Sequence, residues 1–385
     1  MPIAASTASA PKNLAGQKIR VMIVDDSAVV RGLISRWLGE ASDIEVVSVQ
    51  RNGKAAVNAI ESADPDVVIL DVEMPEMDGM TALPLLLGKK SNLVVIMAST
   101  LTRRNAEISL KALSLGARDY IPKPEAQHGM VTASEFRRDL VEKIRALAPR
   151  PAIRPGKAAP APAPATARPA GATARPAPAA AASAPIKLRD KSKVKPRILV
   201  IGSSTGGPPA LTSVLQALGE AGAQVPILIT QHMPPTFTGI LAEHLTRAAG
   251  RPAAEGKDGE PITAGRIYVA PGGKHMLVDG GSIPKIRLDD GPPINYCKPA
   301  VDPLFETAAK VYGSATLSLV LTGMGHDGAE GGRAVAAAGG TVLAQDEATS
   351  VVWGMPGATA RAGVCSAVLP LDRIPGQLAN LLKGF

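Results

Sequence analysis

The feature that most constrains this chain is a tract near its middle, residues 159–185, reading APAPAPATARPAGATARPAPAAAASAP. It has no apolar periodicity and cannot bury enough surface to offset the entropy of ordering it. It is therefore read as a semi-rigid, extended linker over residues 149–193. A chain of 385 residues interrupted in this way folds as two bodies, which also suits the usual domain size. The expected divisions are a tail at 1–17, a first domain at 18–148 and a second at 194–385.

The linker also explains the charge. Of a net +8, the stretch from Arg145 to Arg197 carries +11, twelve Lys or Arg against the single acid Asp190, which leaves −3 for the rest. The two folded halves are near neutral, which argues against a nucleic-acid surface. The basic tract reads as a solubility feature, with attraction to an acidic partner or membrane surface as the alternative. No run approaches the ~20 apolar residues of a membrane span, and the opening MPIAASTASA has neither the basic start nor the apolar run of a signal peptide. A cytoplasmic protein, not embedded in a membrane, is expected. The two cysteines, Cys297 and Cys365, have no metal-type spacing and are too few for a disulfide framework, so both are read as buried or incidental thiols.

The first half alternates apolar runs with amphipathic patterns in five strand–helix units, from IRVMIVDD through DVVILDVEMPEMDG and LVVIMAST to DYIPKP. Near-continuous apolar strands between helices predict a parallel sheet covered on both faces, with function at the carboxyl ends of the strands. Asp25 and Asp26 follow the first strand, Asp71 ends the third, Ser99 ends the fourth and Lys123 follows the fifth. Three carboxylates at one edge repel unless a hard divalent cation lies between them, and Mg²⁺ suits such a set. That site can accept a phosphoryl group on Asp71, with metal, lysine and hydroxyl stabilising the added oxygens.

VDDS, DVEMPEMDG, MAST and DYIPKP together resemble the response-regulator receiver family, over roughly residues 18–148. The resemblance implies a flavodoxin-like (βα)5 fold with Asp71 as phosphoacceptor. It implies Asp25, Asp26, Asp71 and the Glu73 backbone carbonyl around Mg²⁺, Ser99 as the switch hydroxyl rather than Thr100, Tyr120 as the aromatic switch, and Lys123 on the phosphate.

The second half restarts as α/β and predicts a doubly wound, mostly parallel sheet. IGSSTGG leaves the strand RILVIG and enters a helix, satisfying G-x-S-x-G with Ser204 at its centre. Such a turn lifts a serine hydroxyl to the sheet edge, beside the free N–H groups of a helix start that can bind an oxyanion. Glycines at this kind of turn can equally cradle a nucleotide phosphate. A nucleophilic serine needs a base, and the chain has five histidines: His128, His232, His244, His275 and His326. His232 follows the strand VPILITQ, His244 falls mid-helix on the surface, and His275 and His326 are expected in loops, the second beside Asp327. Spacing leaves two triads open: Ser204–His232–Asp327, or an order in which an acid such as Asp302 precedes His326.

IGSSTGG, ITQHMPP, YVAPGGKHM, LTGMGHDG and QDEATSVVWGMPGA resemble the catalytic domain of the chemotaxis protein-glutamate methylesterases, over about residues 195–382. The resemblance implies Ser204 as nucleophile, His232 as general base and Asp327 as the residue orienting the imidazole, with Thr205 and the backbone near Met324 holding the oxyanion. NYCKPAVD departs from the more basic stretch the family usually carries there. The implied reaction is hydrolysis of glutamyl methyl esters, and deamidation of glutamines, on chemoreceptors, with no cofactor in this domain. A histidine kinase is the implied phosphodonor, and phosphorylation of Asp71 the implied release of an inhibitory receiver. Two other classes are weighed against it: a DNA-binding output domain, for which no helix-turn-helix is visible, and an adaptor binding a nucleotide at IGSSTGG without hydrolase activity.

Overall fold

The computed structural model describes residues 17–123, 133–149 and 186–384. His128, residues 1–16 and most of the linker lie outside these.

The first unit alternates β1 (Ile19–Val24), α1 (Ala28–Gly39), β2 (Ile44–Gln50), α2 (Gly53–Ala63), β3 (Val67–Asp71), α3 (Gly79–Lys89), β4 (Val94–Ser99), α4 (Arg103–Ser114), β5 (Asp119–Pro122) and α5 (Ala133–Leu147). Each of α1 to α4 starts where a short polar side chain can cap it: Ser27, Asn52, Asp78 and Thr102 accept from the N–H three residues on. The strands pair in parallel in the order β2-β1-β3-β4-β5, the arrangement of a flavodoxin-like sheet. β3 and β4 are buried along their whole length because helices cover both faces.

The second unit contains β6 (Ile198–Ser203), α6 (Gly207–Leu218), β7 (Ile227–Gln231), α7 (Phe237–Ala249), β8 (Ala253–Glu255), β9 (Ile267–Val269), β10 (His275–Asp279) and β11 (Lys285–Asp289). It continues through α8 (Val301–Tyr312), β12 (Thr316–Val320), α9 (Ala329–Ala337), β13 (Thr341–Gln345), α10 (Met355–Arg361), β14 (Ala367–Leu369) and α11 (Ile374–Lys383). Seven strands form one parallel sheet in the order β14-β13-β12-β6-β7-β9-β8, and β10 with β11 makes a separate antiparallel ribbon. From β6 the chain winds outward through β7, then returns to the other side of β6 with β12. This reversal is the switch point at which open α/β sheets place their sites. Residues before β6 already belong to this unit: Arg189 N–H donates to Cys365 O at 2.9 Å and the Ser192 hydroxyl to Ser314 O at 2.8 Å.

One expectation needs correcting. His275 is not in a loop but opens β10, buried, with Nδ1 accepting from Ala300 N–H at 3.1 Å and Nε2 3.1 Å from Pro292 O. Both ring nitrogens are occupied by backbone, so it is a satisfied core histidine. Among the described residues, no helix is long and apolar enough to cross a membrane.

Candidate active site

In the first unit the strand-end acids converge. Asp25, Asp26 and Asp71 offer oxygens that all lie within 4.8 Å of one another. Lys123 Nζ stands 2.6 Å from Asp25 Oδ2 and 2.7 Å from Asp71 Oδ1. Burial pushes the Asp71 carboxyl up to about 6 against the pull of Lys123, and Asp25 and Asp26 add to the rise. Lys123 is itself held above its ordinary value, because Asp71 and Asp25 outweigh the cost of burying it. Hard oxygen donors, one of them the buried Asp25 Oδ2, suit a divalent cation. Ser99 ends β4 buried, its hydroxyl accepting from Ser109 Oγ at 3.0 Å. Thr100 accepts instead from Asn105 Nδ2 at 2.7 Å.

In the second unit three neighbouring strands deliver the residues. Ser204 follows β6, His232 follows β7 and Asp327 lies in the loop after β12. The turn that carries Ser204 depends on Gly206, at φ 75°, where an added Cβ would meet Val351 at 2.6 Å. Gly323 lets the loop after β12 come close, since a Cβ there would fall 2.8 Å from Ser204 Cβ. Gln231 braces both partners: Oε1 accepts from the Ser203 hydroxyl at 2.7 Å, and Nε2 donates to Ser204 O at 2.9 Å and to His232 O at 3.3 Å.

His232 Nε2 meets Asp327 Oδ2 at 2.7 Å. Burial opposes charge on Asp327, but His232 and the N–H groups of Val301 and Asp302 hold it below the usual carboxylate range. The other ring nitrogen, Nδ1, faces the Cys297 thiol at 3.4 Å. Among the described residues no hydrogen bond joins His232 to Ser204, so the thiol stands where the serine proton must arrive. Burial disfavours the charged ring, yet Cys297 and Asp327 more than offset this and raise His232 to about 10. Cys297 is therefore not incidental. It is aimed by a two-residue turn in which Ile294 and Cys297 exchange both backbone hydrogen bonds while Asn295 and Tyr296 take φ of 50° and 64°.

The second triad left open by spacing does not form. His326 is exposed, while Asp302 is buried with Oδ1 accepting from Gly328 and Gly331 N–H at 2.9 and 2.7 Å. The phosphate cradle is also disfavoured. α6 opens Gly207-Pro208-Pro209, and Gly207 N–H is spent on Ser204 O at 2.7 Å, so the first turn presents few donors to a phosphate.

The receiver unit sits over this edge. The Thr205 hydroxyl donates to Asp119 Oδ2 at 2.8 Å, and Tyr120 stacks on Phe237 with ring centroids 4.6 Å apart and planes 7° from parallel. Arg103 pairs with Glu243 at 2.7 Å, and the Arg138 guanidinium lies 4.3 Å from the centroid of Tyr296. Thr205, expected to help hold the oxyanion, is thus engaged by the other domain. Met324 lies in the partly buried loop between Gly323 and Asp327.

Comparison with known proteins agrees with this two-part construction. Residues 199–378 match the family described as CheB methylesterase, and residues 21–135 match the response regulator receiver domain. A protein-glutamate methylesterase/protein-glutamine glutaminase of group 2 operon from Bradyrhizobium diazoefficiens is 56% identical over 376 residues, 95% of this chain and 94% of its own length. One of the same description from Rhodopseudomonas palustris is 56% identical over 389 residues, 100% of this chain and 99% of its own. The Thermotoga maritima CheB methylesterase catalytic domain is 41% identical with a TM-score of 0.47, covering 48% of this chain and 98% of that one. Matched in both halves, and by relatives that run nearly its full length, the chain belongs to the protein-glutamate methylesterase/protein-glutamine glutaminase family.

Proposed function

We propose that the chain hydrolyses glutamate methyl esters, and the corresponding glutamine amides, on methyl-accepting chemoreceptors, with Ser204, His232 and Asp327 as its triad. The observation that carries this reading is the 2.7 Å His232–Asp327 contact at the strand edge that also presents Ser204. With Nε2 held by Asp327, the base uses Nδ1. Ser204 Oγ attacks the ester carbonyl carbon as its proton passes to that nitrogen, and the carbonyl oxygen gathers negative charge near Thr205, the start of α6 and the backbone at Met324. Collapse breaks the bond to the methoxy group, which leaves as methanol with the proton from His232. Water, deprotonated by the same nitrogen, then cleaves the glutamyl–serine ester and leaves a carboxylate. For a glutamine side chain the leaving group is ammonia.

In this reading residues 18–148 are the regulatory domain and 194–385 the catalytic domain, with 149–193 between them. Asp71 accepts a phosphoryl group from a cytoplasmic histidine kinase. Asp25, Asp26, Asp71 and the Glu73 carbonyl are the residues that would hold Mg²⁺, which when bound neutralises carboxylate and phosphoryl charge. Phosphorylation then weakens the receiver's grip on the catalytic edge through Ser99, Tyr120 and Lys123. The test is methanol release from methylated chemoreceptor membranes, with and without a small-molecule phosphodonor and Mg²⁺. Release that ignores the Ser204→Ala substitution would return the IGSSTGG turn to the non-hydrolytic, nucleotide-binding adaptor.

A further inference from the structure

Asp302 and Asp327 each cap the helix that the other adjoins. α8 begins after Ala300, which has no side chain able to cap it. Its first N–H groups go instead to the carboxylate before α9: Val301 N–H to Asp327 Oδ2 at 2.6 Å and Asp302 N–H to Asp327 Oδ1 at 2.9 Å. α9 begins after Gly328, equally without a side-chain cap, and the Gly328 and Gly331 N–H groups go back to Asp302 Oδ1. The Gly328 N–H also reaches Asp327 Oδ1 at 3.0 Å, so the two carboxyls meet on one donor. Gly331 permits the close approach, since a Cβ there would lie 3.0 Å from Asp302 Cα. The Asp327 oxygen that caps Val301 is the one that holds His232.

We propose that Asp302 is a positioning residue for the reaction, fixing Asp327 against His232 through this reciprocal cap. The inference rests on the triad read above. A carboxyl that served only to cap α9 would not need to share a donor with the triad acid. Burial, then the charge of Asp327, pushes Asp302 up to about 7, so the pair's proton resides on Asp302. The charged group it faces is Asp327, with His232 and Cys297 beyond. Glu306 of α8 is exposed, and Glu330 of α9 is exposed and paired with Arg333 at 3.2 Å. When Asp302 loses its proton, a second negative charge stands behind Asp327 and strengthens its hold on the imidazolium.

The test is an NMR titration of the full-length protein labelled with ¹⁵N in its histidine rings. Asp302→Asn keeps an oxygen for Gly328 and Gly331 but cannot ionise. His232 should then titrate about one pH unit lower than in wild type, the effect of removing one charge a few Å away. His275 and His326 should stay in place. The acid limb of kcat/KM for methanol release, measured with phosphodonor and Mg²⁺, should move down with it. Asp302→Ala, which removes the acceptor, should lower kcat by roughly tenfold or more with KM little changed, and Asp302→Asn should restore it. His232 titrating in Asp302→Asn as in wild type, or all the histidines moving together, would overturn the proposal. Methanol release that persists in Ser204→Ala would overturn the triad reading instead, while the histidine titration decides the cap by itself.

Discussion

The Thr205 hydroxyl, next to Ser204, donates a 2.8 Å hydrogen bond to Asp119 Oδ2 at the start of β5. The same oxygen holds Lys143 of α5. Asp119 immediately precedes Tyr120, so the residue expected to respond to phosphorylation adjoins the one that engages the catalytic turn. Asp119→Ala should raise methanol release in the absence of phosphodonor by roughly tenfold, the worth of one charge-assisted hydrogen bond. An unchanged basal rate would mean that Thr205 is not where the receiver acts.

Ser204→Ala and His232→Gln should each reduce methanol release by about 10³–10⁴-fold, and the double variant should lose little more, because nucleophile and base act as one unit. Losses that multiplied in the double variant would show two independent contributions. Single-turnover release from methylated receptor membranes distinguishes the two results.

Asp71 gives a pH signature. Its folded value, about 6, lies above the ordinary 3.8, so the folded state binds the extra proton between these limits. The cost of the buried charge is absent below about pH 4, grows as pH rises to about 6 and is constant above. Asp71→Asn should therefore be more stable than wild type at pH 7.5 without Mg²⁺, by up to about 3 kcal/mol, with the gap closing near pH 4. Adding Mg²⁺ should stabilise wild type more than the variant. Urea unfolding at several pH values, with and without a chelator, measures both effects.

The two thiols should behave differently toward a soft alkylating reagent. Cys365 is buried, and burial pushes its thiol up to about 12. Cys297 is partly exposed and lies against His232. One equivalent of iodoacetamide should be incorporated at Cys297, with loss of esterase activity, and the activity of Cys297→Ala should resist the reagent. Peptide mapping of the alkylated protein checks the site.

Much of the fold was legible because parallel strands buried on both faces must be apolar throughout, as VVILD and VVIMAS are. Ser204, His232 and Asp327 were legible for a related reason: each lies just beyond a strand, and neighbouring parallel strands end on one edge. The role of Cys297 was not, because its aim depends on a turn whose central residues, Asn295 and Tyr296, take positive φ without a glycine to signal it. Asp302 was visible only as a possible triad acid, since reciprocal capping joins positions 25 residues apart. The Asp119–Thr205 contact spans 86 residues and both domains, and no local pattern encodes it.

The strand order bears on when such an enzyme can first act. His232 and the acid that orients it are separated by 95 residues, because β12 returns to the sheet only after β8 to β11 and α8 have been laid down. A chain emerging from the ribosome completes its receiver sequence first, then nucleophile and base, and only much later the acid. Domains generally fold in this N- to C-terminal order during synthesis. A nascent chain therefore carries its regulator before it carries a working hydrolase.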